Sequence, residues 1–454
     1  MEKPVPSARS RALELLLALE TSGQTIAGCL RQAAATATES PADAALLSEL
    51  VYGVVRHRLY LRDVLSRKLA KPLRKLPPEL VVILEIALYQ LLFLEKIPSY
   101  AIIWEAVEAV KRRFGPAMAR LGNGVLRTID REKADWQWQP LPPETADLSA
   151  LAVRYSCPEW LLLRWRARFS LADLRELLTA FNRRPQQVVR VNPRRGSVAA
   201  LEDRLVQAGT QVHTLPHLPQ ALVIDAPKID RRHPSYHAGE ISFQSLASQL
   251  VVATLAAHLN PGERFLDACA GAGGKLLAVA EQFGETATYG AYDPKPAALD
   301  DLTREAARLG LPEITIFRGL ESLEATGATW NLVLVDAPCS GLGTLQKHPE
   351  LKWRRAAADL PRFGERQRDI LARYAQAVAP GGTLVYSVCS FEWEETDAVI
   401  AAFLKAAPDF ALMDLATLPA LAAYGTPTPH GVMLYPHRTS SEGFFLAGLR
   451  RREA

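Results

Sequence analysis

Apolar residues recur at spacings of three and four over Arg11–Leu19 and again over Ala44–Val55, the period of helices with one buried face. Leu76-Pro77-Pro78 then opens a run, Val81–Leu94, that is apolar on every side except at Glu85 and Gln90. Proline is tolerated in a first turn, so the run predicts a core helix, and it is too short to cross a bilayer. A further helical pattern, Tyr100–Val110, follows Ile97-Pro98. Residues 1–133 therefore predict an all-α bundle. Residues 134–147 are rich in proline and tryptophan and carry neither helical nor strand period, which predicts a linker.

Beyond the linker the period changes. Residues 148–238 mix a helical pattern (Trp160–Leu178), a strand (Val188–Val191), a second helix (Ser197–Ala208) and a second strand (Ala221–Ile224), as in a small α/β plait of the RRM or ferredoxin-like kind. Residues 239–454 alternate helical stretches with short apolar runs at Arg264–Asp267, Ala287–Asp293, Asn331–Asp336 and Thr383–Ser387. That alternation predicts an open parallel α/β sheet of Rossmann-like type, whose ligands bind beyond the carboxyl ends of the strands. Chemistry is expected just after those runs.

Composition narrows the class. With 454 residues, 48% apolar and 22% charged, the chain is neither collagen-like nor disordered throughout, and it is long enough for several domains. Its five cysteines are an odd number, widely spaced and without a CxxC pair, so neither a disulfide framework nor a zinc ribbon is expected, and no metal. The first residues, MEKPVPSARSR, hold no apolar h-region, so a cytoplasmic location is expected. Charge is uneven. Residues 1–134 hold 20 Lys+Arg against 14 Asp+Glu, whereas residues 241–454 hold 19 against 24. A polyanion would be gripped by the first half; the plainer explanation is a solvated face. In the plait Arg183, Arg184, Arg190, Arg194, Arg195, Arg231 and Arg232 are either solubilising or phosphate clamps.

Three strand ends carry candidate chemistry. The first runs into Asp267-Ala268-Cys269-Ala270-Gly271-Ala272-Gly273-Gly274-Lys275, where glycines permit a sharp turn and close approach of a ligand. The next strand ends at Asp293, about 20 residues beyond the glycines, where a ribose-binding acid is expected. No Walker lysine-serine pair is present, so a nucleoside-linked cofactor is favoured over a nucleoside triphosphate. The other two ends are Asp336-Ala337-Pro338-Cys339-Ser340-Gly341-Leu342-Gly343-Thr344 and Tyr386-Ser387-Val388-Cys389-Ser390. A single buried cysteine is usually structural, as expected for Cys29 and Cys157. Two cysteines just past two strands of one sheet point to thiol chemistry, though spacing alone does not say which sulfur attacks. His348–Trp353 reads as a substrate loop without the partner histidines of a metal site.

These motifs resemble the Sun family of S-adenosylmethionine-dependent RNA cytosine-5 methyltransferases, through Asp336–Cys339, Cys389, the GGK turn and the run DAPCSGLGTLQKHPELKW. Upstream, Glu49–Arg56, Ala87–Leu92 and Asn123–Arg127 are similar to the NusB-type helical domain found in members acting on small-subunit rRNA. The resemblance continues from Gln244 to Glu442–Phe445, so it covers nearly the whole chain. It implies Cys389 as the nucleophile adding to cytosine C6, Cys339 as the group assisting release, Asp336 on the base edge, and Lys275 as an orienting cation. S-adenosyl-L-methionine would be bound by Asp267, Ala268, Cys269, Ala270, Gly271, Gly273, Gly274 and Lys275, with Asp293, Gly319, Asp336 and Pro338. The family's Gly-Asp appears here as Gly319-Leu320, and its Cys-Ala-Ala-Pro turn as Cys269-Ala270-Gly271-Ala272. The expected partner is RNA, rRNA first, bound by a monomer without membrane or metal. The alternatives are a non-catalytic NusB-like RNA-binding factor, a tRNA m5C methyltransferase and a small-molecule methyltransferase. The first is disfavoured by retention of both cysteines, the last by the long basic N-terminal part.

Overall fold

The computed structural model describes residues 7–35, 40–136, 141–142, 146–325 and 327–453. Half of the expected linker, 137–140 and 143–145, lies outside the described residues, while Ala134–Trp136 at its start belong to a short helix, Lys133–Trp136, and not to a linker without period. Packing divides the chain into two units, one of residues up to Asn182 together with His348–Arg354, the other of Arg183–Lys347 and Arg355 onward.

The first unit is helical: α1 (Ala8–Thr21), α2 (Ile26–Ala35), α3 (Pro41–Lys68), α4 (Pro78–Phe93) and α5 (Ser99–Arg131). Ser7 and Ser40 cap α1 and α3, their side chains accepting from the Ser10 and Asp43 N–H groups. Helix α4 is buried on every side from Leu80 to Leu91, as its unbroken apolar run requires. The acid within that buried stretch, Glu85, takes a hydrogen bond from Arg62 Nε at 2.6 Å. Gly53 lets α3 and α4 touch, because a Cβ there would lie 2.0 Å from the Tyr89 ring, and Tyr89 donates to Glu49 Oε1 at 2.6 Å. Two motifs quoted from separate helices thus form one contact. Helix α5 continues well past Val110 but breaks at Gly115 (φ 79°) ahead of Pro116.

Helices α6 (Leu148–Arg154), α7 (Glu159–Arg166) and α8 (Leu171–Asn182) follow. The single helix expected over Trp160–Leu178 is two, because Ser170 starts a new one by accepting from Asp173 N–H. By packing these helices join the helical unit rather than the plait: Ser156 Oγ accepts from Leu59 N–H at 2.9 Å and Arg154 stacks over Tyr60. The segment His348–Arg354, which includes the expected substrate loop His348–Trp353, is a packed part of the same unit. Lys352 Nζ donates to Arg56 O at 2.8 Å, Trp353 Nε1 to Val55 O at 2.9 Å and Arg354 to Gln24 O at 2.6 Å. The Lys352, Trp353 and Arg354 donors are thus taken up by backbone carbonyls of the helical unit.

The second unit begins with a four-stranded antiparallel sheet, order β2-β3-β1-β4, from β1 (Gln187–Val191), β2 (Gln211–Leu215), β3 (Leu218–Ala226) and β4 (Ile241–Phe243). Strand alternation decides its two faces: Val189, Val191, Leu222 and Ile224 pack on Leu201 and Leu205 of the helix Val198–Gln207, while Val188, Ala221 and Val223 pack on the helix Leu246–Ala256. Arg190 shares the face of Val188, so its guanidinium ends inside, bidentate on Glu281 at 2.6 and 2.8 Å. Arg194 pairs with Glu285, Arg232 with Asp230, and Arg231 lies over Tyr236. Most of the expected phosphate clamps are thus engaged within the fold; Arg183 and Arg184 are exposed.

The larger sheet is mixed, not purely parallel. β5 (Arg264–Asp267), β6 (Thr288–Tyr292), β7 (Ile314–Phe317), β8 (Trp330–Asp336) and β9 (Val378–Val388) are parallel, in the order β9-β8-β5-β6-β7. β10 (Phe410–Met413), β11 (Thr426–Thr428), β12 (Gly431–Leu434) and β13 (Phe444–Arg451) extend it antiparallel, through β13 on β9. These strands are short or continuously apolar, so period alone did not mark them. Among the described residues no helix is long and apolar enough to cross a membrane.

Candidate active site

Sheet order brings the motif-bearing strand ends together, since β9, β8, β5 and β6 are consecutive neighbours. After β5 the chain turns through Gly271 (φ 54°) and Gly273 (φ 82°) into the helix Gly274–Phe283. At Gly273 a Cβ would sit 2.6 Å from Leu302, so both space and backbone conformation demand glycine. Asp293, at the end of β6, accepts from Gly271 N–H at 2.9 Å and ties the turn to the second strand. Gly319 lies just past β7, beyond Asp293's strand in the sheet.

Lys275, in the first turn of that helix, makes a close ion pair with Asp336 at the end of β8. Ser387 on β9 donates to the other oxygen of Asp336 at 2.6 Å. Burial works against the Lys275 charge, but Asp336, Asp267 and Cys389 outweigh it and raise its pKa. The site therefore holds a fixed cation. Burial also pushes the Asp267 carboxyl up to about 7, with Asp336 adding to the effect and Lys275 opposing it. Cys269 is raised well above an ordinary thiol, by burial first and then by Asp267, which makes it an inert member of the turn.

Cys339 and Cys389 face one another with sulfurs 3.1 Å apart. The loop after Cys339 folds back onto the loop after Cys389 through Gly343, whose N–H donates to Cys389 O at 3.0 Å. A Cβ at Gly343 would lie 2.0 Å from Gly443 O, so the approach needs glycine. The Cys339 pKa is raised well above the usual thiol value by its hydrogen bond with Cys389, then by burial and the charges of Cys389 and Glu395.

Asp267, Lys275, Asp293, Asp336, Cys339 and Cys389 are thus gathered at the carboxyl ends of the neighbouring strands β9, β8, β5 and β6. Pro338 contributes its carbonyl, which accepts from Gln367 Nε2 at 3.1 Å, while Ala268 and Ala270 bond through their N–H groups to Leu334 O and Tyr292 O. Sequence reasoning missed Ser387 as the partner of Asp336, the buried Glu395, and the brace Arg190–Glu281. Arg190 also donates to Gln244, which in turn donates to Gly274 O at 2.7 Å, so the plait supports the turn that carries Lys275. In the sequence Glu395 sits in an acidic stretch that reads as solvated, and no local signal marks its burial.

Residues 254–450 match 16S rRNA methyltransferase RsmB/F, residues 6–131 the NusB family, and residues 157–230 the ferredoxin-like domain of RsmF/B-like methyltransferases. The probable ribosomal RNA small subunit methyltransferase B of Bacillus subtilis is 33% identical over 98% of this chain and 99% of its own. Ribosomal RNA small subunit methyltransferase B of Vibrio cholerae is 30% identical over 99% of this chain and 98% of its own. The crystal structure of PH0851 superposes with a TM-score of 0.78 over 99% of this chain and 100% of its own at 24% identity. NSun6 from Pyrococcus horikoshii does so with a TM-score of 0.58 over 65% of this chain and 99% of its own at 18% identity. Both share the fold. A NusB-like helical part and a ferredoxin-like plait ahead of a Rossmann-like methyltransferase domain, matched end to end by such relatives, show that the chain belongs to the RsmB family of small-subunit ribosomal RNA methyltransferases.

Proposed function

We propose that this methyltransferase transfers a methyl group from S-adenosyl-L-methionine to C5 of a cytosine in 16S rRNA, acting in the cytoplasm as a monomer through a covalent bond between Cys389 and cytosine C6. The observation that carries the reading is the thiol pair, 3.1 Å apart, beside an ion-paired Lys275 and Asp336. Cytosine C5 is a poor nucleophile; a thiolate added to C6 makes it enamine-like. Lys275, ion-paired with Asp336, is the local positive charge that a nucleophilic thiol requires. Asp336 hydrogen-bonds the N3/N4 edge of the base, with Lys275 and Ser387 fixing its orientation. Once C5 carries the methyl group, solvent water takes its proton, the C5–H electrons re-form the C5=C6 bond, and the bond from C6 to sulfur breaks with its electron pair returning to Cys389 as thiolate. Cys339, 3.1 Å from that sulfur, hydrogen-bonds the departing thiolate and so assists its release.

The turn fits the cofactor: a side chain at Gly271 or Gly319 would project into open space, and the carboxylates of Asp267 and Asp293 border the turn. Bound there, the cofactor supplies an electrophilic methyl group. Asp293 suits a ribose hydroxyl pair, and Ala268–Lys275, with Asp336 and Pro338, suit the rest. Residues 1–133 and 148–238 would hold RNA and residues 239–454 would carry out the transfer, with the target base out of any stack. Cys389→Ala should abolish methylation with no covalent complex, whereas Cys339→Ala should accumulate a protein–RNA adduct that survives denaturing gels. Equal, adduct-free activity in both would refute the scheme. Bisulfite sequencing of rRNA and tRNA from a deletion strain identifies the modified base.

A further inference from the structure

The two sulfurs sit on separate loops, and a single carboxylate joins the residues that follow them. Glu395 is fully buried. Its Oε1 accepts from Ser340 N–H at 2.7 Å and from Gln367 Nε2 at 3.1 Å; its Oε2 accepts from Ser340 Oγ at 2.5 Å and Ser390 Oγ at 2.6 Å. We propose that Glu395 is the positioning residue of the thiol pair: by holding Ser340 and Ser390 on one carboxylate it fixes the sulfur separation, and its charge makes Cys339 the hydrogen-bond donor and Cys389 the attacking atom.

The geometry has few degrees of freedom. Tyr386 on β9 donates to Glu395 O at 2.7 Å, which anchors the carboxylate's own backbone, and Gln367 reaches both Glu395 and Pro338 O, the residue before Cys339. The Ser340 N–H and the Gln367 side-chain N–H can only donate, so Oε1 is the acceptor in both of its bonds. Burial raises the Glu395 carboxyl, and the bonds from Ser340, Ser390 and Gln367 oppose that rise. The Cys339 thiol is raised first by its hydrogen bond with Cys389, then by burial and the charge of Cys389, and Glu395 adds to that rise. Cys389 is in turn one of the groups that raise Lys275, whose ammonium is paired with Asp336. The phenol of Tyr386, also pushed up by burial, adds no charge. Two identical side chains are thereby made unlike, a distinction that the spacing of the cysteines in the sequence left open. Its functional meaning rests on the covalent reading above; the labelling test below does not.

The full chain carrying Cys389→Ser, with and without Glu395→Gln, is treated with iodoacetamide over a pH series, and Cys339 is read by peptide mass spectrometry. Removing the buried charge should move the Cys339 labelling midpoint down by about one pH unit, roughly tenfold faster labelling below it. No RNA is needed, so this result stands apart from whether wild-type protein methylates rRNA. With Cys389 present, Glu395→Gln should lower kcat by about tenfold or more with the KM for S-adenosylmethionine unchanged. Ser390→Ala, which keeps the charge but cuts one tie, should lower kcat and leave the Cys339 midpoint in place. An unmoved midpoint in folded Glu395→Gln protein, or wild-type kcat in Ser390→Ala, overturns the proposal. Should Glu395→Gln not fold, the Ser390→Ala kcat decides it.

Discussion

Lys275 in the catalytic unit and Lys352 in the helical unit are both removed from water, and their titrations move in opposite directions. Lys352 is 5% exposed; burial takes its pKa down to about 7, and it donates to the carbonyl of Arg56 with no carboxylate acting on it. Lys275 meets the same burial, but Asp336 against its ammonium reverses the result and raises its pKa. Desolvation is common to both, so the neighbour decides. A lysine kept charged away from water needs a counter-ion beside it; a lysine that fills space and bonds a carbonyl does not.

The contrast breaks most visibly at Asp336. Asp336→Asn leaves Lys275 in the condition of Lys352 and should reduce single-turnover methyl transfer by about 10²–10³-fold. It should also cost about 3 kcal/mol in denaturant unfolding, the low end for a broken buried pair because Asp336 is 28% exposed. Turnover within a few-fold of wild type would mean that the pairing does not matter. Lys275→Met comes next: a loss of roughly 10–100-fold in methyl transfer together with slower alkylation of Cys389, read by mass spectrometry. Unchanged alkylation would separate Lys275 from the thiolate. The smallest effect is expected at Lys352. Lys352→Met should leave methylation as it is and gain about 1–3 kcal/mol at neutral pH.

The pH dependence sharpens the same contrast. Between about 7 and the ordinary lysine value of 10.5, the unfolded chain binds a proton at Lys352 that the folded helical unit does not, so this residue makes stability rise with pH in that window. The raised pKa of Lys275 does the reverse: its contribution is complete below the ordinary value and is lost as pH climbs through the higher folded one. Urea unfolding of Lys352→Met at neutral and alkaline pH should lack the upward slope that wild type shows; a slope that persists would assign it to another group.

What could be read in the sequence follows the same divide between local and long-range causes. The strand ending in Asp267 is legible with the same bounds because its period and its glycine turn are local. The cysteine pair is legible because both residues end strands of one sheet. Arg190 was not: side-chain alternation turns it inward, but only the fold puts Glu281 opposite. Glu395 was hidden for the same reason, since its partners Ser340 and Ser390 meet it only after two loops close on each other through Gly343. The packing of helices α6–α8 on the bundle is equally illegible, since contacts such as Ser156 with Leu59 join residues far apart in the chain.

The seven-residue excursion His348–Arg354 also sets a timetable for biosynthesis. The helical unit receives Lys352, Trp353 and Arg354 on carbonyls of Arg56, Val55 and Gln24, yet these side chains are translated long after Asn182. At about 5–20 residues per second the amino-terminal helices wait on the order of ten seconds or more with the Trp353 slot unfilled. A nascent chain stalled before residue 348 would present that slot to chaperones, and a fragment ending at 182 would carry it permanently.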